Sequence, residues 1–230
     1  MLGQDSYRDN MNFVAGAVAY NAYIVDSVRP YLGSRVLDVG CGIGNTTSLL
    51  GQRLVVGMEV SDYYIEEFRK RLRDVPVIKD DISNLEDAER LRNYRFNTIF
   101  CSNVLEHIED DRRALSNMWM ILDEGGTLIL CVPNYRFLFG AMDAADLHFR
   151  RYDRVSLRER VVEAGFRVQE QFCINFPGIF WWYISGKLLK RPTSGESEAG
   201  LINRVMPAVR LIDKAVLNRV GLSLILVGRK

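Results

Sequence analysis

The stretch VLDVGCGIGN, residues 36–45, decides the fold. It begins with a short apolar run of the kind that buried parallel strands show. Three glycines then follow within five residues, at Gly40, Gly42 and Gly44. Glycine lets the backbone turn sharply and lets a ligand lie directly against main-chain N–H groups. Because the next residue, Asn45, and the threonines after it are typical of a helix N-terminus, the stretch predicts a strand, a glycine turn and a helix start, as in nucleotide-type sites.

The spacing of the glycines distinguishes two classes of cofactor. The dinucleotide fingerprint needs glycine at its first, third and sixth positions, and the sixth position here is Asn45. The alternate glycines, preceded by Leu37-Asp38-Val39, resemble instead the first motif of the class I S-adenosylmethionine-dependent methyltransferases. Glu59 ends the next apolar run, 19 positions after Gly40, where a carboxylate accepts hydrogen bonds from both ribose hydroxyls. Both cofactor classes use that acid, so Glu59 indicates a ribose without naming the cofactor.

A second motif follows the predicted fourth strand. The run NVLEHIEDD, residues 103–111, resembles the fourth-strand motif of small-molecule methyltransferases of this class, at the family's separation and order from the glycine turn. At the third strand the resemblance implies that Asp81 accepts from the adenine amino group while the Ile82 N–H contacts a ring nitrogen. Asp80 is the alternative, and an ordinary turn carboxylate is also open. The cofactor-binding residues implied by the resemblance are Asp38, Gly40, Cys41, Gly42, Gly44, Glu59, Val60, Asp81, Ile82, Ser102, Asn103 and Leu105.

Apolar runs alternate with helical patterns along the chain. Together with the resemblance, this alternation predicts an α/β fold, a Rossmann-like three-layer α/β/α sandwich. We expect a seven-stranded, mostly parallel sheet with the last strand antiparallel, and a helical insertion before that strand. After the glycine turn, strands are predicted at 54–59, 75–78, 96–101, 126–132, 166–173 and 223–227, and helices at 45–51, 62–72 and 156–164. The expected organisation is one domain, 1–230, with an N-terminal helical segment (1–30), a cofactor-binding core (31–173), the insertion (174–220) and the last strand (221–230).

Composition is that of an ordinary globular protein. The 230 residues are 48% hydrophobic and 26% charged, with a net charge of +1. The four cysteines stand singly, with neither CxxC nor zinc-ligand spacing, which indicates free thiols in a reducing compartment. The N-terminus lacks a basic lead and a long apolar run, and no strongly apolar window of 18 residues is present. We therefore expect a cytoplasmic protein without a spanning helix and without a nucleic-acid partner.

The chain has two histidines, and each follows a predicted strand at the carboxyl edge of the sheet, where α/β sites assemble. By the resemblance, the cofactor is S-adenosylmethionine, whose methyl sits on a sulfonium. The protein must then align a nucleophile and remove its proton. His148 or His107 could take that proton, with Glu106 or Asp143 orienting the imidazole, and no metal is expected. A structural role for either histidine is the alternative.

The segment after the fifth predicted strand groups arginines with aromatic residues. That combination suits a phosphate or carboxylate on the acceptor, and a solvated basic face is the alternative. The predicted substrate-binding residues are Tyr135, Asp143, Arg150, Arg151 and Tyr152.

Two segments flank the predicted core. Residues 11–29 carry apolar side chains at helical spacing. In the resembling family such segments close over the methionine end of the cofactor, so Tyr7, Tyr20 or Tyr23 could line the site, or only pack on the sheet. In the insertion, PGIFWWYISGKLLKRP (177–192) is too short to span a bilayer but could lie in a membrane interface. The small, polar composition of residues 193–200 predicts a mobile loop. The apolar face of residues 207–219 predicts a second helix.

The function of the insertion has two interpretations. From Lys187 onward, nine Lys and Arg stand against three acids, so 177–191 and the basic C-terminal segment could contact an anionic membrane, at its inner face. The alternative is that both helices cover the sheet or form a homodimer contact.

A narrower resemblance concerns the acceptor. The run NVLEHIEDD, the FGAMD…HFRRY loop and the closing GLSLILVGRK resemble bacterial methyltransferases associated with glycosyltransferases and surface-polysaccharide pathways. This implies methyl transfer to a small-molecule acceptor, a sugar or a lipid-linked sugar. Two alternative classes are a nicotinamide oxidoreductase, which Asn45 disfavours, and a noncatalytic S-adenosylmethionine-binding module or membrane-docking partner.

Overall fold

A computed structural model describes residues 16–51, 53–191 and 196–230 of the chain. Within them, seven strands form one sheet in the order β3-β2-β1-β4-β5-β7-β6, in which β1 to β5 are parallel and β7 runs antiparallel to both neighbours. The strands are β1 (Arg35–Val39), β2 (Leu54–Glu59), β3 (Val77–Lys79), β4 (Thr98–Ser102), β5 (Thr127–Pro133), β6 (Arg167–Ile174) and β7 (Ser223–Arg229). The predicted fold class is confirmed.

Helices cover both faces of the sheet, because successive residues of a buried strand point to opposite sides. The described α-helices are α1 (Val18–Val28), α2 (Asp62–Arg71), α3 (Leu85–Leu91), α4 (Asp111–Ile121), α5 (Ala141–Ala145), α6 (Arg154–Glu163), α7 (Phe176–Trp182) and α8 (Glu196–Ala215). Leu37 of β1 belongs to the apolar cluster that includes buried residues of α3, α4 and α6, whereas its neighbour Val36 belongs to the cluster that includes buried residues of α1 and α8. Two apolar layers therefore enclose the central strands.

The register of the parallel strands brings their carboxyl ends into one row. Val39 of β1 lies opposite Met58 of β2 and opposite Cys101 of β4. The residues that follow these three, which include Gly40 and Glu59, consequently meet at one edge of the sheet.

The α-helix predicted at residues 45–51 is wrong. The segment holds only a short 3-10 turn, Thr47–Leu49. The Thr47 hydroxyl donates to Asp38 Oδ2 at 2.6 Å, and Gly51 leaves the segment with a positive φ of 80°. Because local side-chain bonds and a left-handed glycine end the turn so soon, no α-helix forms in this segment.

The second helix of the insertion is longer than predicted. Residues 196–200, predicted to be part of a loop, begin α8, which continues through Pro207 to Ala215. Residues 192–195 and 1–15 lie outside the described part of the chain. Ala199, Met206 and Val209 are buried in α8. Tertiary packing of this face outweighs the local preference of small polar residues for a loop.

The first helix of the insertion continues as a π-helical segment, Tyr183–Leu188. Among the residues that the structure describes, no helix combines the length and apolarity needed to cross a bilayer. Helix α8 instead packs beside α1, where the Asn203 side chain accepts from the Ala19 N–H at 2.9 Å and donates to the Gly16 carbonyl at 2.7 Å.

Candidate functional site

A cavity of about 770 Å³ lies at the carboxyl edge of the sheet. Its floor comes from the glycine turn and the ends of β2 and β4, and its roof from α1, α7 and α8. Ligands of open α/β sheets bind at this edge. The cavity is therefore the candidate active site.

The glycine turn brings bare backbone to the cavity wall. Gly40 has a φ of 65°, and a Cβ there would lie 2.4 Å from Val104 Cγ2, so no other residue fits. Gly40, Cys41 and Gly42 line the cavity. Gly44 does not, since a Cβ at this position would instead meet Leu72 of the segment after α2 at 2.5 Å. Its positive φ of 85° lets the backbone complete the turn on the side away from the cavity.

Glu59 is fixed at the end of β2 by three backbone donors. Its Oε2 accepts from the Gly42 N–H at 3.0 Å, and its Oε1 accepts from the N–H groups of Val60 and Ser61 at 2.8 and 3.0 Å. A carboxylate has about four acceptor sites. Acceptor capacity therefore remains on Oε2, and both Glu59 and Val60 line the cavity.

Asp38 lies behind the glycine turn and not on the cavity wall. It accepts from Thr47, and burial raises the pKa of its carboxyl to about 7. Its position supports the turn rather than direct contact with a ligand.

The acids after β3 both reach the cavity. Asp81 Oδ1 accepts from the N–H and the hydroxyl of Ser83, at 2.8 and 2.7 Å, while Asp80 Oδ1 accepts from Arg90 at 2.7 Å. Asp81 thus makes the contact of an ordinary turn carboxylate, which was the alternative to adenine binding. It nevertheless lines the cavity. Ile82 and Asn103 also line the wall, as does Ser102, whereas Leu105 is fully buried away from it.

Of the N-terminal tyrosines, Tyr20 lines the cavity and its hydroxyl lies 2.5 Å from Ser223 Oγ at the start of β7. Tyr23 points elsewhere and donates to Asp213 at 2.9 Å. Tyr7 lies outside the described residues.

Glu106, His107 and His148 are brought together on the cavity wall. The two imidazole rings meet edge to face with their centroids 4.6 Å apart. One nitrogen of each ring and one oxygen of Glu106 lie within 4.8 Å of one another. The three predicted catalytic residues therefore form one cluster.

Glu106 is buried without a compensating hydrogen bond. Glu106 is only 1% exposed, and neither of its carboxylate oxygens has a hydrogen-bond partner among the described residues. Burial raises the pKa of Glu106 to about 7, against the opposing charges of His148 and Arg151. Burial also lowers the pKa of His107 to about 3, with a contribution from the charge of His148.

His148 is oriented by the fully buried Asp143. His148 Nδ1 lies 2.9 Å from Asp143 Oδ1, and the same oxygen accepts from Arg151 Nε at 2.6 Å. Asp143 Oδ2 accepts from Trp182 Nε1 at 3.2 Å and from the Gly140 N–H at 3.0 Å. Burial opposes the charged imidazole, but the hydrogen bond and the nearby carboxylates outweigh it and raise the pKa of His148. Asp143, rather than Glu106, makes the orienting contact.

The predicted substrate residues are divided between two places. Arg151 lines the main cavity and stacks on Trp182, with its Cζ 4.5 Å from the ring. Arg150 and Tyr152 line a second, smaller cavity, and Tyr152 is 1% exposed with its hydroxyl donating to Asp111 at 2.8 Å. Tyr135 lines neither of these two cavities.

The roof of the cavity contains residues that the sequence did not assign to the site. Trp181 and Trp182 of α7 line it, as do Leu201 and Val205 of α8. The two tryptophans belong to the segment 177–192, for which the sequence suggested a membrane interface, and the fold shows that both also line the cavity.

Comparison with known proteins identifies the family. A family model described as a methyltransferase domain matches residues 12–171. The chain belongs to the class I S-adenosylmethionine-dependent methyltransferases. Its cofactor is S-adenosylmethionine, as the spacing of the glycines predicted.

Individual relatives of this methyltransferase are distant. An O-methyltransferase of Pyrenophora dematioidea is 27% identical over 174 residues, 66% of this chain and 60% of that protein. A malonyl-[acyl-carrier protein] O-methyltransferase of Ilyobacter polytropus is 25% identical over 139 residues, 54% and 51% of the two chains. The chain spans about half to three fifths of the length of these curated relatives.

Solved structures agree on the fold. A methyltransferase from Archaeoglobus fulgidus superposes with a TM-score of 0.61 at 18% identity, covering 91% of this chain and 92% of that one. The lining of the methyltransferase cavity is compatible with this cofactor, because Gly40, Cys41 and Gly42 present backbone to it and Glu59 Oε2 accepts only one hydrogen bond among the described residues, from the Gly42 N–H.

Proposed function

We propose that this methyltransferase acts on a hydroxyl of a small-molecule acceptor, a sugar or a lipid-linked sugar. The bound cofactor supplies a methyl group activated by its sulfonium charge. The observation that carries the proposal is the His148–Asp143 pair on the wall of the same cavity as the glycine turn. The names of two relatives, both O-methyltransferases, support oxygen as the nucleophile.

His148 is the proton acceptor in this proposal. The Asp143 carboxylate accepts from Nδ1, which leaves the lone pair of Nε2 for the proton of the acceptor hydroxyl. Arg151 and Trp182 hold Asp143 in place, so the imidazole keeps its orientation. Removing the proton as the hydroxyl attacks in line increases its nucleophilicity.

The surface around α7 supports a lipid-linked acceptor. Apolar side chains are exposed along α7 and the π-helical segment, and Lys187, Lys190 and Arg191 lie at its end. The exposed apolar residues, which we call the α7 patch, are Phe180, Trp181, Tyr183, Ile184, Leu188 and Leu189. Aromatic residues next to basic ones suit the interface of an anionic membrane. Since Trp181 also lines the cavity, the α7 patch is continuous with the site.

Transfer of a tritiated methyl group from S-adenosylmethionine to lipid-linked and free sugars tests the function. Incorporation into one of these acceptors supports the proposal. A protein that binds S-adenosylhomocysteine but methylates none of them would contradict it and favour a noncatalytic binding module.

Glu59→Ala is expected to weaken binding of S-adenosylhomocysteine by about 1–3 kcal/mol, roughly 5- to 150-fold, because a buried hydrogen-bonding partner is lost. Isothermal titration calorimetry measures the affinity, and circular dichroism verifies that the variant is folded. Glu66→Ala, an exposed acid of α2, is the matched control and should bind normally. Equal affinities of the two variants would exclude the ribose role of Glu59.

The α7 patch is expected to bind vesicles that contain anionic lipid, and binding should fall as salt is added, because screening weakens the basic contribution. Leu188→Ser should weaken sedimentation with these vesicles about tenfold, since one exposed leucine no longer enters the interface. Leu54→Ser is the control, because Leu54 is an exposed leucine at the amino-terminal end of β2 and does not line the cavity. If the wild type fails to sediment at low salt, the membrane contact is wrong.

A further inference from the structure

The cluster of Glu106, His107 and His148 has the composition of a metal site. One ligand-type atom from each residue lies within 4.8 Å of the other two. Bonds of about 2.0–2.2 Å to a tetrahedral ion place ligand atoms about 3.4 Å apart. The separations of the three atoms exceed that spacing by at most about 1.4 Å.

Glu106 gives a second, independent indication of a ligand. It is almost completely buried, it lines the cavity, and its two carboxylate oxygens have no hydrogen-bond partner among the described residues. A buried carboxylate is ordinarily paired, hydrogen-bonded or bound to a metal, because an uncompensated charge is strongly unfavourable away from water. The carboxylate thus has the properties of a ligand whose cation comes from outside the chain.

The surroundings of both imidazoles agree with this interpretation. Metal-binding histidines usually donate their other ring N–H to a carboxylate or a backbone carbonyl, which fixes the ring. His148 has Asp143 on Nδ1 at 2.9 Å, and His107 interacts with the backbone of Asp146. Each ring is therefore held from behind while both reach the cavity.

The geometry points to a divalent transition-metal site formed by Glu106, His107 and His148. Two imidazoles and one carboxylate suit Zn²⁺ or a neighbouring ion such as Co²⁺, while Mg²⁺ and Ca²⁺ prefer oxygen ligands only. Such three-ligand sites keep a position open for water or substrate. An acceptor oxygen at that position would be held beside the cofactor site and would lose its proton more easily.

This inference replaces part of the mechanism proposed above. When His148 binds an ion through Nε2, that nitrogen cannot accept a proton, so the two roles exclude each other. Binding of S-adenosylhomocysteine depends on neither role. Metal binding can therefore be tested apart from the activity.

The experiment is a titration of chelator-treated, metal-free protein with Co²⁺, followed by visible absorption and calorimetry. We expect one equivalent to bind, with absorption bands of a low-coordinate ion, and Zn²⁺ to displace it. Glu106→Gln should lower the affinity at least tenfold, and Glu89→Gln, an exposed acid of α3, should leave it unchanged. Thermal melts of both variants show that they are folded.

Two outcomes would overturn the inference: no stoichiometric Co²⁺ binding by the wild type, or equal affinities of Glu106→Gln and Glu89→Gln. A parallel titration with S-adenosylhomocysteine separates this failure from failure of the proposed function. If the protein binds S-adenosylhomocysteine but no metal, only the metal site is contradicted. If it binds Co²⁺ but not S-adenosylhomocysteine, the proposed methyl transfer is contradicted and the metal site is retained.

Discussion

Replacing His148 with alanine is expected to lower the rate of methyl transfer by about two to four orders of magnitude. The imidazole lies at the cavity wall and is the side chain proposed to act on the acceptor, whether as base or as ligand of an ion. Affinity for S-adenosylhomocysteine should stay unchanged, because β5, which leads to His148, lies on the far side of β4 and β1 from β2 and Glu59. Single-turnover kinetics with the tritiated cofactor and calorimetry measure the two effects.

The variant should fold, because Asp143 keeps its partners Arg151, Trp182 and Gly140 without the imidazole. His148→Gln is the informative companion, since its amide can donate to Asp143 but carries no basic nitrogen. It should be as slow as His148→Ala. Val155→Ala, an exposed position in the first turn of α6, should retain full activity. A wild-type rate for His148→Ala would remove His148 from the mechanism.

Asp213→Ala is expected to lower the free energy of unfolding by about 3–5 kcal/mol. The side chain is 0% exposed and accepts from the Tyr23 hydroxyl at 2.9 Å and from the N–H groups of Asn175 and Phe176 at 2.5 and 2.8 Å. It therefore connects α8 to α1 and to the start of α7. Alanine would leave three donors without a partner, and each buried unsatisfied group costs about 1–3 kcal/mol. Urea unfolding followed by circular dichroism measures the loss.

Asp26→Ala is the matched control for that loss. Like Asp213, Asp26 is an acceptor, but its partners are the charged side chains of Arg29 and Arg210 on an exposed surface. Such exposed pairs contribute about 0–1 kcal/mol to the free energy of unfolding. A loss at Asp213 no larger than the loss at Asp26 would contradict the assigned role. Because α1, α7 and α8 form the roof of the cavity, Asp213→Ala should also weaken ligand binding at temperatures where the variant is folded.

The sequence predicted the part of the site that depends on local pattern. Residues 36–45 and the run of 103–111 fix where strands end, and parallel strands bring those ends together whatever the rest of the chain does. The placement of Gly40 and Glu59 at one end of the sheet was therefore predictable from the sequence. The single-domain division and the roles of individual site residues stay predictions.

Contacts between distant segments could not be predicted in this way. Trp182 reaches Asp143 across 39 positions, and nothing near either residue indicates the pairing. Tyr152 looked like a substrate contact because it follows arginines, but its hydroxyl reaches back to Asp111 inside the core. The start of α8 was assigned to a loop because its local composition favours one, and only the burial of Ala199 explains the helix.

The position of β7 has a consequence for misfolding. This strand separates β5 from β6, and both neighbours hydrogen-bond to it rather than to each other. Before β7 (Ser223–Arg229) pairs with it, the apolar strand β5, which is fully buried in the folded protein, has unpaired backbone N–H and C=O groups along one side. Such groups can pair with strands of other molecules. Self-association during refolding should therefore compete with docking of a segment 90 to 102 positions away in sequence. A high concentration of unfolded chains favours the aggregate.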